Sequence, residues 1–297
     1  KINLRKFWMR RILRIWPLFY CCVFFGFYIF PLVKSYLGQE PNETANLIYY
    51  LTFLNNFDFI NNGLPDSSSL GVLWSIAIEE QFYLIWPIIL SIFPIKKYWI
   101  AFLGILAISI SSRAINPNYM FLEYHTLSCI GDMVIGALGA WLIIEKEQFK
   151  NRIIQLKKSS ITLIYILFIL CYFFRTELFM HSFLTKTIER PIIAIVILFV
   201  ILEQSFSKHS FLKLSRFKVM TKLGQISYGL YSLHFIGILI TINLFKFFYF
   251  PNQFLQVLVL ETTVALIITI AISKVSYQVL EKPFLRIKDK FSYFSKD

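Results

Sequence analysis

The stretch that decides the fold runs from Ser69 to Pro87 and reads SLGVLWSIAIEEQFYLIWP. It places two adjacent carboxylates, Glu79 and Glu80, inside an otherwise apolar segment that is long enough to cross a bilayer. A carboxylate at the centre of a membrane helix costs roughly 2.5–3.5 kcal/mol to insert, so both groups require partners or a water-filled cavity. An acidic pair in this setting indicates a functional site within the membrane.

The composition of the whole chain is that of an integral membrane protein. Of its 297 residues, 57% are hydrophobic and only 16% are charged, and the mean hydropathy is +0.62. The net charge of +13 would suit nucleic-acid binding in a soluble protein. Here we assign it to cytoplasmic loops and anionic lipid headgroups, so the expected partner is the lipid bilayer and no nucleic acid. The four cysteines form no CxxC pair, and no metal site is expected.

Apolar segments predict an all-α polytopic membrane helix bundle that forms a single domain over residues 1–297. Eight segments predict helices, at 15–34, 70–93, 99–114, 126–144, 161–175, 191–204, 224–246 and 254–274. The segments 161–175 and 191–204 are short for a bilayer crossing, so we expect both helices to extend into their flanks. The stretch 47–59 is too polar for a span and predicts an interfacial or re-entrant helix.

Loop charges predict that both ends of the chain are cytoplasmic. If the N-terminus is inside, the inner segments hold 24 of the 30 Lys and Arg residues. These segments are 1–14, 94–98, 145–160, 205–222 and 274–297. The distribution predicts a multi-pass protein of a plasma membrane, with its longest outer loop at about 35–69.

A cluster of arginines precedes the first apolar segment. The sequence RRILRIWPLFY, residues 10–20, contains Arg10, Arg11 and Arg14. Arg11 and Arg14 are three residues apart and so share one helix face. Guanidinium groups bind phosphate through paired hydrogen bonds and stay charged when partly buried, which favours a phosphorylated cytosolic ligand. The alternative is that these arginines only anchor the helix to lipid headgroups.

Helical spacing predicts which side chains act together around the acidic pair. Following Trp74, Ser75 and Glu79 fall on one stripe of the helix, whereas Glu80 and Tyr83 lie on an adjoining face. A carboxylate there could orient a catalytic base, act as an acid or base itself, or hold a sugar hydroxyl. The alternative is a structural ion pair with an inward-facing arginine.

A third motif, ISYGLYSLHF at residues 226–235, predicts a helix face that carries Ser227, Tyr231 and His234. A histidine inside a span usually faces the bundle interior, where it could transfer protons. The alternative is a hydrogen-bonded packing role.

Weaker signals lie between residues 113 and 139. Asp132 is a further intramembrane acid, and Gly131, Gly136 and Gly139 would allow close helix packing. Arg113 and His125 flank the outer loop between them, where they could contact an external substrate. Phosphate-binding loops, GxSxG elbows, HExxH motifs and dinucleotide fingerprints are absent from the sequence, which excludes the enzyme classes built on them.

Taken in order, these motifs resemble the acyltransferase 3 family of bacterial membrane enzymes, which acylate surface glycans. The resemblance rests on RRxxRIxPxxY at 10–20, WSxxxEEQFYLxWP at 74–87, ISYxxYxxH at 226–234 and EKPF at 281–284. It implies about ten membrane helices, acetyl-CoA as the acyl donor bound from the cytoplasm, and a glycan or glycolipid hydroxyl as the acceptor. Arg11 and Arg14 would correspond to the family's arginine pair at the acyl-CoA side, and Glu79 and Glu80 to its acidic pair.

The resemblance also implies a segment upstream of Lys1. The family's catalytic histidine lies on its first helix, and neither that histidine nor the stretch that follows it is present in this sequence. Two helices before Lys1 would bring the expected eight to ten and would keep the cytoplasmic orientation. We therefore expect the sequence to represent an N-terminally truncated acyltransferase 3 domain.

The expected function is transfer of an acyl group, most simply acetyl, to a hydroxyl of a surface polysaccharide or glycolipid. The alternatives are a glycolipid transporter or flippase, and a membrane partner without catalytic activity. The candidate residues are Glu79, Glu80 and His234 for catalysis, Arg10, Arg11 and Arg14 for acyl-CoA binding, and Trp74, Ser75, Tyr83, Ser227 and Tyr231 for structure or substrate contact.

Overall fold

A computed structural model describes residues 2–248 and 253–291, which are helical almost throughout and contain no β-strand. The expected all-α membrane fold is confirmed. Helices α1 to α18 span Leu4–Phe24, Phe30–Tyr36, Leu47–Leu51, Asn55–Asn62, Ser68–Gly71, Trp74–Ile92, Tyr98–Ile115, Tyr119–Tyr124, Thr126–Glu145, Glu147–Ile154, Lys158–Phe173, Arg175–Phe179, Phe183–Phe206, Lys218–Gln225, Ser227–Phe245, Gln253–Leu255, Thr262–Ser276 and Lys282–Lys288. Three π-helical segments, Phe25–Ile29, Gln256–Glu261 and Tyr277–Glu281, and three 3₁₀ turns, Ile95–Lys97, Leu214–Arg216 and Asp289–Phe291, adjoin them.

Each of the eight predicted segments is helical, and most of them are suited to crossing a membrane. Among the described residues, six continuous segments are long and apolar enough: Leu4–Tyr36, Ser68–Ile92, Ile95–Ile115, Tyr119–Glu145, Ser227–Phe245 and Gln256–Phe291. The pair α10 and α11 is bent by 90° and gives a seventh if it forms one span. The remaining predicted segment corresponds to α13, whose first turns carry Lys186, Glu189 and Arg190. The predicted cytoplasmic ends include Lys1 and residues 292–297, which lie outside the described residues.

The first helix begins earlier than the apolar pattern predicts. α1 starts at Leu4 instead of residue 15, because the side chain of Asn3 accepts a hydrogen bond from the Lys6 backbone N–H and caps the helix. The basic stretch is compatible with a helix since Lys and Arg stems can lie along apolar surface while their charged ends reach water. The prediction therefore missed three turns of helix that carry the arginines.

Other boundaries follow from local capping. The short segment 191–204 extends upstream as expected, to Phe183, where Ser182 and Thr185 form a capping box. The stretch 47–59 forms two short helices, α3 and α4, instead of one. They are separated at Phe53, whose φ of 55° interrupts the helical backbone.

Two compact units make up the chain, and the chain passes from one to the other within α6. The first comprises residues up to Leu84 together with those from Lys218 onward. In this unit α15 packs along α17, and Gly237 permits the approach because a Cβ there would overlap the hydroxyl of Thr269. The second unit comprises Ile85–Phe217, in which α9 packs against both α7 and α13.

A fully buried arginine connects the helices of the second unit. The guanidinium of Arg113 donates to the carbonyl oxygens of Thr187, Leu122 and Lys186 and to the hydroxyl of Ser128, over 2.7–3.0 Å. Its side chain is 1% exposed. The expectation that Arg113 contacts an external substrate is therefore wrong, because its donors already bind backbone carbonyls of two helices, α8 and α13, and a hydroxyl of a third, α9.

Candidate functional site

The arginines predicted to bind the donor lie on the second and third turns of α1. The guanidinium Cζ of Arg11 lies 4.4 Å from the ring centroid of Tyr83 and 5.5 Å from that of Phe7. Arg14 is exposed. Within the described residues neither Arg11 nor Arg14 forms an ion pair with a carboxylate. Their donors are therefore available to an anionic ligand.

Arg10 has a different position. It is half-buried and has interactions of its own. Arg11 and Arg14 line a cavity between α1, α6 and α15, and Arg10 is not among the described residues of that lining. This placement follows from helix geometry, since adjacent residues point about 100° apart.

The carboxylates of Glu79 and Glu80 project in different directions from the second turn of α6. The phenol of Tyr83 donates to Oε2 of Glu79 over 3.4 Å. Tyr83 therefore pairs with Glu79, whereas the helical spacing predicted that it would share a face with Glu80. The reason is the i,i+4 spacing of Glu79 and Tyr83, which brings them to one face. Glu80 instead accepts a hydrogen bond from the indole Nε1 of Trp16 over 3.0 Å.

Glu80 is incompletely satisfied. Its Oε1 is buried and has no hydrogen-bond partner in the described part of the chain. Trp16 belongs to the arginine motif, but no pattern in the sequence predicts that its indole donates a hydrogen bond to an acid 64 residues away. A buried carboxylate with one donor is costly, and it is the kind of group that a functional site retains.

Tyrosines of α15 complete the site. Tyr231 accepts or donates a 2.5 Å hydrogen bond with the hydroxyl of Ser75, and its Oη also donates to the carbonyl of Val72 over 3.2 Å. That carbonyl is accessible because the helix is interrupted by a turn between α5 and α6. Tyr228 donates to the carbonyl of Ile15 over 2.8 Å. These bonds fix α15 to both α1 and α6.

A cavity of about 300 Å³ lies between these three helices. Its described lining contains six of the eleven predicted residues: Arg11, Arg14, Glu79, Tyr83, Ser227 and Tyr231. Ser75 does not line it but is hydrogen-bonded to Tyr231. Ile15, Ile76 and Tyr228 complete the lining. The arrangement can bind an anion at one wall and hold a carboxylate near it at another.

His234 and Trp74 are not among the described residues that line this cavity. The Nδ1 of His234 lies 2.6 Å from the carbonyl oxygen of Tyr231, one turn earlier in its own helix, so Nδ1 is the donor in this contact. Trp74 begins α6 and is half-buried. The structure thus places His234 next to a lining residue, with a local hydrogen bond that also suits a packing role.

Glu281 belongs to the EKPF motif but is not among the residues predicted for the site. Its side chain is 4% exposed, and Oε1 has no hydrogen-bond partner among the described residues. It ends the π-helical segment Tyr277–Glu281, which packs against α1. A Cβ on Gly229 of α15 would lie 3.3 Å from that oxygen, so glycine makes room for the acid. π-Helical turns occur frequently at functional sites.

Comparison with known proteins identifies the family of the chain. The family model for the acyltransferase domain Acyl_transf_3 matches residues 1–277. The peptidoglycan O-acetyltransferase OatA of Listeria monocytogenes is 26% identical over 312 residues, which cover 99% of this chain and 48% of the relative. The O-acetyltransferase OatA of Staphylococcus aureus is 24% identical, covering 95% of this chain and 48% of the relative.

A protein of Acidianus two-tailed virus, ORF330, is 25% identical over 240 residues, which cover 79% of this chain and 66% of the relative. The chain spans about half the length of the two bacterial relatives. No solved structure gives a significant match. Since the family model covers nearly the whole sequence, the chain belongs to the acyltransferase 3 family.

Proposed function

We propose that this chain transfers an acetyl group from acetyl-CoA, bound at the cytoplasmic face of a plasma membrane, to a hydroxyl of a surface polysaccharide or glycolipid. The observation that carries the proposal is the pair Arg11 and Arg14, which line a cavity with Glu79 and have no carboxylate partner among the described residues. Neither guanidinium has a direct carboxylate contact on this membrane helix, and an anionic ligand would supply one. Two relatives named O-acetyltransferases support acetyl as the acyl group.

Phosphate groups of the donor would bind the two guanidiniums. Each arginine can make two parallel hydrogen bonds to a phosphate, and stacking of Arg11 on Tyr83 fixes the plane of its donors. The cavity of about 300 Å³ is at the low end of the range for drug-sized ligands, so only one part of an acyl-CoA would occupy it.

The transfer step joins the acceptor oxygen to the thioester carbonyl carbon while the carbon–sulfur bond breaks. The hydroxyl proton passes to a base, and the coenzyme leaves as a thiolate that takes up a proton. Glu79 would accept the proton of the acceptor hydroxyl itself, or it would orient a histidine base and stabilise its charge. The family resemblance assigns that histidine to a preceding helix. Glu80 would support the same site from the neighbouring face.

The donor site is tested by kinetics of the full-length protein in vesicles, with labelled acetyl-CoA and the label measured in the glycan. A hydrogen bond to a charged group contributes about 1.5–3 kcal/mol, so we expect Arg11→Ala and Arg14→Ala each to raise KM for acetyl-CoA about 10- to 100-fold. Arg5→Ala is the matched control, since Arg5 is exposed on the same helix and outside the cavity lining.

An unchanged KM in the double variant would refute the donor site. If the arginines only anchor the helix to headgroups, membrane insertion falls and KM does not change. If the protein moves glycolipids, glycolipid flux continues without consumption of acetyl-CoA.

The acid is tested separately. Glu79→Gln keeps the shape and the hydrogen bond from Tyr83 but removes the charge, and we expect kcat to fall about 10²- to 10⁴-fold, as for loss of an acid–base group, with KM for acetyl-CoA little changed. Full activity of Glu79→Gln would exclude a role for its charge.

A further inference from the structure

The second unit contains a cavity of about 620 Å³ that none of the predicted site residues lines. Most of its wall is apolar and comes from α11 and α13, including Phe168, Ile193, Ala194, Ile197 and Ile201. Its charged wall consists of Glu123, Asp132, Arg175, Glu189 and Arg190. On α13 the step from Arg190 to Ile201 corresponds to about 16 Å of helix, so the cavity has a polar end and a long apolar side.

The polar end is an ion-pair network whose cations are already bound. Arg190 donates to Oδ2 of Asp132 from Nε over 3.0 Å and from Nη2 over 2.8 Å. Arg175 contacts Glu189 and also donates to Glu123 over 3.2 Å. Three carboxylates face two guanidiniums at the wall, and the guanidinium of the buried Arg113 lies 3.9 Å from Glu189, so the charges of the network balance. Because its guanidiniums are already paired with carboxylates, this arrangement disfavours a phosphate-bearing ligand and leaves carboxylate oxygens able to accept from hydroxyl groups.

One acceptor at this end is available. Oδ1 of Asp132 is buried and has no hydrogen-bond partner in the described part of the chain. The glycine one turn later, Gly136, also lines the cavity, and no atom lies within 4 Å of the position that its Cβ would take. The space beside the acid is therefore open to the hydroxyl of a ligand.

The apolar side opens toward an exposed apolar surface of the unit, which the predicted membrane placement of α11 and α13 turns toward lipid. Ile197 and Ile201 are 40% and 55% exposed, and Tyr172, near the polar end, is 71% exposed. A hydrocarbon chain gains little by moving from lipid tails to such a wall, because both are apolar. Selection among lipids must then come from the head group at the polar end.

We propose that this cavity binds a membrane glycolipid, with an uncharged sugar head at Asp132, Glu123 and Arg190 and its hydrocarbon chain along α11 and α13. Sugar hydroxyls both donate to carboxylates and accept from guanidiniums, and a neutral head adds no charge to a network whose charges already balance. The loop charges predict that this end of the unit faces the outside. The inference concerns binding alone and goes beyond the acetyl transfer proposed above.

The test is photocrosslinking of the full-length protein in nanodiscs with a monoglucosyl diacylglycerol that carries a diazirine in one acyl chain, without acetyl-CoA. We expect crosslinks on peptides containing residues 168–172 and 193–201. Unlabelled monoglucosyl diacylglycerol should compete at least tenfold more effectively than diacylglycerol or phosphatidic acid. Equal competition by diacylglycerol, stronger competition by phosphatidic acid, or crosslinks only elsewhere would overturn the proposal.

A cavity-filling variant gives a second measurement. Ala194→Trp should abolish the competed crosslink, whereas Ile195→Trp, on the same helix but outside the lining, should retain it. An unchanged crosslink in folded Ala194→Trp would overturn the proposal. If that variant does not fold, the competition series on the unaltered protein decides the question. Because acetyl-CoA is absent throughout, a negative crosslinking result would not contradict the proposed acetyl transfer. Likewise, an unchanged KM in the arginine variants would not contradict glycolipid binding in this cavity.

Discussion

Replacing Glu80 by glutamine is expected to abolish most acetyl transfer while keeping the protein as stable as before or making it more stable. The carboxylate has one hydrogen bond, from the indole of Trp16 over 3.0 Å, and its Oε1 is buried without a partner among the described residues. The amide oxygen of glutamine can accept the same hydrogen bond, and the buried charge is removed. A site that was selected for stability alone would not retain the acid.

The size of the effect can be derived from this single bond. A hydrogen bond to a charged group contributes about 1.5–3 kcal/mol and one between neutral groups about 0.5–1.5 kcal/mol. Trp16→Phe should therefore lower the free energy of unfolding by about 1.5–3 kcal/mol when Glu80 is present, and by about 0.5–1.5 kcal/mol in the Glu80→Gln background. The difference, about 1 kcal/mol or more, is the coupling energy of the double-mutant cycle.

The four proteins of this cycle are to be compared in one detergent, with unfolding followed by circular dichroism during denaturant titration and transfer measured in vesicles. Trp99→Phe is the matched control, because Trp99 is 42% exposed. Full transfer activity in Glu80→Gln would refute a functional charge. An identical cost of Trp16→Phe in both backgrounds would refute the view that the indole stabilises a carboxylate.

Three further predictions concern stability. Arg113→Met should lower the free energy of unfolding by at least about 3–5 kcal/mol, seen as a large loss of folded protein, because four buried acceptors lose their donor. Gly237→Ala should cost about 1–3 kcal/mol in denaturant titrations because its Cβ would meet the backbone of the facing helix, whereas Gly104→Ala, which has open space, should not destabilise. The hydrogen bond from Lys34 lowers the pKa of Asp66 in the folded protein. The ionised Asp66 therefore stabilises the fold fully above its unfolded pKa of about 3.8, and this stabilisation is lost as pH falls through the lower folded pKa. The difference in unfolding free energy between the unaltered protein and Asp66→Asn should be constant near pH 7 and shrink below pH 4, and a difference that grows on acidification would contradict this.

The helical type of the eight apolar segments could be predicted from hydropathy because lipid requires every backbone group to be satisfied within its own helix. What hydropathy does not contain is the effect of capping and of backbone interruptions. Asn3 starts α1 three turns before the apolar region, and Phe53 divides the stretch 47–59 into two helices. The 90° bend between α10 and α11 likewise has no signal in the apolar pattern.

Much of the candidate site was predictable from spacing along single helices. Arg11 with Arg14, and Ser227 with Tyr231, do line one cavity as their spacing indicated. Contacts between helices were not predictable, because they depend on packing. The bond from Trp16 to Glu80 is one such contact.

The π-helical turn at Tyr277–Glu281 has a consequence for how relatives are to be aligned. A π-helical turn holds one residue more than an ordinary helical turn, so deleting one residue from it would restore α-helical winding and leave the side chains that follow close to their present directions. The change would fall on the turn itself, which ends at Glu281, the acid whose carboxylate lies beside Gly229. A gap of one residue here between aligned relatives would therefore mark loss of the π-helical turn, while the residues on either side of the gap stay comparable.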